Sequence, residues 1–70
     1  MNNTKFYQLL KEADLQMSQV ARRVGVSREA VRLWANGKNY PSADKLWAIA
    51  KALNVSVERV VNCFGEDDEN

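Results

Sequence analysis

Apolar residues along this chain recur at intervals of three and four, and the polar breaks between them fall where helices start and stop. Phe6, Leu9, Leu10 and Ala13 stand at i, i+3, i+4 and i+7 after the polar pair Asn3-Thr4, the stripe of an amphipathic first helix. Leu15 is expected to plug the core in the turn that follows. Ser18 to Val24 reads as a second, shorter helix with Val20, Ala21 and Val24 inward, ended by Gly25, which takes a left-handed conformation without steric cost. Ser27 is expected to cap a third helix running to about Asn36, with Ala30, Val31 and Trp34 inward and Arg28, Glu29, Arg32, Leu33 and Asn36 outward. Gly37 is its expected stop. Lys38-Asn39-Tyr40-Pro41 is a loop, because Pro41 disfavours helix at the residue before it. Ser42 then caps a fourth helix with Leu46, Ile49, Ala50 and Leu53 inward, closed by Asn54. Ser56 opens a fifth helix that carries Val57, Val60, Val61 and Phe64, with Gly65 as its stop. No strand pattern and no internal repeat competes, so the expected fold is all-α: one compact five-helix domain over residues 1–65, with a disordered acidic tail at 66–70.

Composition narrows the chemistry. Seventy residues make one domain with a small core, and 46% hydrophobic content argues against disorder. With no histidine and a single cysteine, Cys63, one chain cannot assemble an ordinary metal site, a histidine-based triad or a disulfide framework. Neither enzymatic activity nor a cofactor is expected, and Cys63 is expected to be a small hydrophobe. The opening Met1-Asn2-Asn3-Thr4 lacks a secretion-signal pattern, and no apolar run approaches membrane-spanning length. The expected setting is therefore cytoplasmic, without a membrane partner, in a bacterium or encoded by a phage.

Charge becomes informative once mapped. All ten lysines and arginines lie in residues 1–65, against five acids there, while Glu66, Asp67, Asp68 and Glu69 bring the formal net charge down to +1. Between residues 22 and 38, Arg22, Arg23, Arg28, Arg32 and Lys38 face Glu29 alone. A charge bias concentrated in one stretch points to an anionic partner.

That stretch, Ala21 to Lys38, is two short helices joined by a glycine turn. Arg28 and Arg32 are four apart and share a face of the second, where each guanidinium can donate two hydrogen bonds to guanine O6 and N7 in a major groove. Trp34 falls on the core side. Trp47, beside the Leu46-Ile49-Ala50 stripe, either fills the core or forms part of a protein interface.

The chain resembles helix-turn-helix proteins of the Cro and phage-repressor type over roughly residues 5–61. The resemblance is carried by Val20, Ala21, Val24, Gly25, Val26 and Ser27 around the turn, by Val31 and Trp34, by Asn36-Gly37-Lys38 with Pro41-Ser42, and by Leu46, Ile49, Ala50, Leu53, Val55 and Ser56. It implies a lambda-repressor-like five-helix domain that binds double-stranded DNA, with Arg28, Glu29, Arg32 and Leu33 at base edges. Glu29 either accepts from cytosine N4 or does no more than complement the helix dipole and orient Arg32, and Leu33 either meets a thymine methyl or packs sideways on the fourth helix. Phosphate neighbours would be Arg22 or Arg23, Ser27, Asn36, Lys38 and Asn39. Family members often start the second helix with Ser or Thr followed by Gln, which helps hold a phosphate. Here Gln16-Met17 stands there, so Gln16, Ser18 or Gln19 is expected to substitute. Tyr40 is expected to anchor the loop beside Pro41.

One probe helix covers few base pairs, so a homodimer on a palindromic operator is expected, formed in solution or on DNA. Val57, Val60, Val61 and Phe64 give the last helix more apolar residues than a small core needs, and they are the expected dimer surface. The expected function is sequence-specific repression of transcription. The alternative is an antitoxin-like protein-binding module whose DNA binding serves autoregulation, with a toxin or polymerase as protein partner.

Overall fold

The computed structural model describes residues 3–65, so the acidic tail at 66–70 lies outside the described residues. Within them stand five helices: α1 (Thr4–Ala13), α2 (Met17–Val24), α3 (Arg28–Ala35), α4 (Ala43–Leu53) and α5 (Val57–Phe64). Three of them begin on the serines expected to cap them. Ser27 accepts from the Ala30 N–H at 3.1 Å, Ser42 from Lys45 at 3.4 Å and Ser56 from Arg59 at 3.2 Å, each supplying a partner to a first-turn N–H that has no carbonyl four residues back within its helix.

The second helix starts one residue earlier than its apolar pattern indicates, at Met17 with Gln16 in the cap position. The cause is local. The Gln19 side chain reaches back to accept the Gln16 N–H at 2.8 Å, which gives the first turn the return bond of a capping box. At the other ends, Gly25 has φ +86° and Gly37 φ +77°, the left-handed conformation that a β-carbon disfavours. Asp14 and Asn54 take the same conformation at the ends of α1 and α4, as the residue types besides glycine that best tolerate it.

Phe6, Val20, Val31, Ile49 and Val60 are the largest fully buried side chains, one from each helix. Leu9, Leu10, Ala21, Val24, Trp34, Ala35, Ala50, Leu53 and Phe64 complete the core, and Leu15 packs against it from the turn after α1. The Phe6 and Phe64 rings, at 5.0 Å between centroids, hold the first and last helices together in a tilted pair worth about 1 kcal/mol beyond the area it buries. Ala35, absent from the expected inward set, is fully buried where α1 crosses the end of α3; Ala30 and Leu46 are half-buried.

Helix α2 packs against both α3 and α4, α5 packs on α4, and α1 closes the core against α5 and α3. The Arg23 guanidinium donates to the Ala52 carbonyl at 3.1 Å, occupying an acceptor that the end of α4 leaves open. Asn3 makes a second tie: its N–H donates to the Ala35 carbonyl at 2.7 Å, and its side-chain oxygen accepts from Phe6 N at 3.0 Å. Among the described residues, no helix is long and apolar enough to cross a membrane.

The expected partner surface on α5 is altered by this packing. Val60 is fully buried and Phe64 nearly so, because an eight-residue helix closing a small core has to supply its whole inner edge. Val57 is half-buried and Val61 is 41% exposed, so two of the four residues are accessible to another chain. Tyr40 also departs from expectation, standing 67% exposed while Pro41 itself is buried and pins the loop. Cys63 is half-buried, and its thiol is pushed above the usual range by desolvation, against the pull of Arg59 and Lys5.

Candidate nucleic-acid interface

Helix α3 is divided lengthwise by its own periodicity. Val31, Trp34 and Ala35 anchor it in the core, which leaves Arg28, Glu29 and Arg32 exposed on the opposite side. Leu33 lies between the two faces, half-buried. Its carbonyl accepts from Lys38 N at 2.9 Å and Asn39 N at 3.4 Å, so the loop folds back over the end of α3 and holds exposed Lys38 and Asn39 next to it.

On the exposed face, Glu29 and Arg32 form a two-toothed ion pair. Arg32 Nε donates to one carboxylate oxygen of Glu29 at 2.9 Å, and Nη2 donates to the other at 2.5 Å. Positions i and i+3 of a helix are neighbours, so the pairing follows from the local sequence alone. Hydrogen bonding from Arg32 holds the Glu29 carboxyl below the usual glutamate range, and the same bond strengthens the hold of Arg32 on its proton. Both side chains remain at least half exposed.

Between α1 and the start of α2, reaching Arg28 at the start of α3, runs an open groove of about 940 Å³ lined by Tyr7, Gln8, Leu10, Lys11, Glu12, Leu15, Gln16, Met17, Ser18 and Arg28. It brings together three residues from separate parts of the expected site, Gln16 and Ser18 at the start of α2 and Arg28 at the start of α3. Gln16 is exposed and Ser18 half-buried. Gln19 has its carbonyl oxygen engaged with the Gln16 backbone, and Met17 offers no polar atom beyond a thioether sulfur.

The remaining expected phosphate neighbours differ in how they are held. Arg22 is exposed, whereas the guanidinium of Arg23 reaches back to α4. Ser27 is engaged as the cap of α3. Asn36 is half-buried at the end of α3, where its side-chain oxygen accepts from the Tyr7 hydroxyl at 3.5 Å. Nothing in the local spacing marks Tyr7 for this position, 29 residues away in the chain. Trp34 is buried and Trp47 is 63% exposed.

A helix-turn-helix family model, of the lambda-repressor and Cro type, matches residues 6–60. The HTH-type transcriptional activator BcrR of Enterococcus faecalis is 33% identical over 60 residues, which is 86% of this chain and 29% of that protein. A protein described as an uncharacterized transcriptional regulator in the ATPase CF(0) region of Rhodospirillum rubrum is 41% identical over 44 residues, 63% of this chain and 41% of that one. The chain thus spans less than half the length of either relative. No solved structure matches the chain at a significant level.

Proposed function

The chain belongs to the helix-turn-helix family of the lambda-repressor and Cro type, a family of DNA-binding transcriptional regulators, and from that premise we propose that it binds a palindromic operator as a dimer and represses transcription. The observation that carries this reading is the outer face of α3. Its charged side chains stand clear of the core, on a helix narrow enough for a major groove. Arg28 and Arg32 are the proposed guanine readers, and Leu33 touches the groove edge. Arg22, Gln16, Ser18, Lys38 and Asn39 are the proposed backbone contacts, with the Ser27 and Asn36 ends of α3 close to the same phosphates.

Repression by occupying an operator requires nothing beyond tight, selective binding. Two copies of a molecule whose α-carbon envelope measures 33 × 23 × 22 Å fit side by side on half-sites one DNA turn, about 34–36 Å, apart. Val57 and Val61 on α5, together with Trp47 on α4, are the proposed meeting surface, since these apolar side chains retain solvent exposure once the core is closed.

Selection of bound sequences from random duplexes at a stated salt concentration tests the reading. Two inverted half-sites one turn apart are the expected result, and enrichment of no sequence would overturn it. Activation is the second reading, favoured by the name of the Enterococcus faecalis relative. A reporter placed downstream of the selected operator separates the two, because its output falls under repression and rises under activation.

A further inference from the structure

Glu29 is the only acidic residue between Asp14 and Asp44, and it sits in the middle of the face assigned to base reading. A carboxylate is ill suited to general DNA attraction, since it repels every phosphate it approaches. Its position is explained by what it holds. An arginine side chain has five N–H donors, and Glu29 engages the edge formed by Nε and Nη2. The end-on fork, one N–H from each Nη, remains open, and two parallel donors of that kind match guanine O6 and N7. The ion pair therefore fixes the plane of the guanidinium while leaving its reading edge free. It also cancels the charge of Arg32, so the pair approaches DNA with no net attraction for phosphate.

We propose that Glu29 is a specificity-determining positioning residue, which aims Arg32 at a base and withholds it from the DNA backbone. The proposal rests on the reading of α3 as the base-reading helix. Affinity for any duplex then comes from Arg22, Lys38 and the other proposed backbone contacts, whereas Arg32 rewards only the matching base pair. A glutamate at this position lowers affinity for random DNA and raises the ratio of operator to random binding.

The test compares wild type, Glu29→Gln, Arg32→Ala and the double variant on operator and random duplexes across a salt series. Glu29→Gln releases Arg32 to seek phosphate. Its random-sequence affinity should rise, with a salt slope steeper by about 0.9 for one more phosphate neutralised. The ratio of operator to random binding should fall by about tenfold or more, with preference loosened at the same base position that Arg32→Ala loosens. In the Arg32→Ala background, Glu29→Gln should leave base preference unchanged.

Loosening at a different position, persisting in that background, would show that Glu29 reads a base itself and would overturn the proposal. So would an unchanged ratio and slope in Glu29→Gln. Since the side chain is exposed and its bonds are to Arg32, the thermal melt of Glu29→Gln should match wild type and serves as the folding control. If wild type itself prefers no sequence, the reading of α3 fails. If wild type is selective and Glu29→Gln equally so, the failure belongs to this inference alone.

Discussion

The side-chain amide of Asn3 donates a hydrogen bond to the carbonyl oxygen of Cys63 at 3.0 Å, joining residues sixty positions apart. With its other bonds to Phe6 and Ala35, this one residue caps α1 while gripping the ends of α3 and α5. Asn3→Ala removes a helix cap worth about 1 kcal/mol and a long-range bond worth about the same. Unfolding in urea should therefore show a loss of about 2 kcal/mol with an unchanged slope, a shift large for so small a domain. The preferred DNA sequence should not change, because Asn3 meets α3 through the Ala35 carbonyl and makes no bond to Arg28, Glu29 or Arg32.

Adjacent arginines in α2 should separate cleanly. Arg23→Ala deletes the bond to the Ala52 carbonyl and is expected to cost about 1 kcal/mol of stability with little effect on the salt dependence of binding. Arg22→Ala is expected to do the reverse, leaving the melt in place and lowering the salt slope by about 0.9. Identical slopes for Arg22→Ala and wild type would remove Arg22 from the backbone contacts.

Lys38 and Arg32 make a second contrast. Lys38→Ala should weaken binding to every duplex alike and lower the salt slope by about one unit, because one fewer phosphate is neutralised. Arg32→Ala should cost about 1–3 kcal/mol on the operator and relax one base position. An equal loss on all sequences would place Arg32 on the backbone instead.

The Glu29 carboxyl should titrate below the ordinary glutamate range, since the bond from Arg32 favours its charged form. A folded-state pKa that is depressed makes the pair complete above the unfolded value and weakens it only as pH falls through the folded one. Base preference should thus be level through neutral pH. Side-chain carbon NMR of Glu29 checks this directly, and its midpoint should rise when Arg32 is replaced by alanine.

What can be read from the chain and what cannot divides by distance along it. Ser27, Ser42 and Ser56 act on N–H groups three residues away, and the Glu29–Arg32 pair spans the same interval, so each is visible in local spacing. The apolar pattern sets the start of α2 one residue late because glutamine is an uncommon cap, and only the return bond from Gln19 gives Gln16 that position. The Arg23–Ala52 and Asn3–Cys63 bonds join distant segments, and no periodicity encodes them. The apolar stripe of α5 is equally plain, yet a stripe does not say how much of itself a core will take. The depth of Phe64 depends on Phe6, at the other end of the chain.

The split face of α3 has a consequence for how such a molecule changes its target. Val31, Trp34 and Ala35 fasten the rod from beneath, whereas the outer bonds of Glu29 and Arg32 are made with each other. New lettering can therefore be cut on the outer surface while the lock that holds it stays as it is. Copies of such a scaffold can each be given a separate address by exchanging three or four side chains.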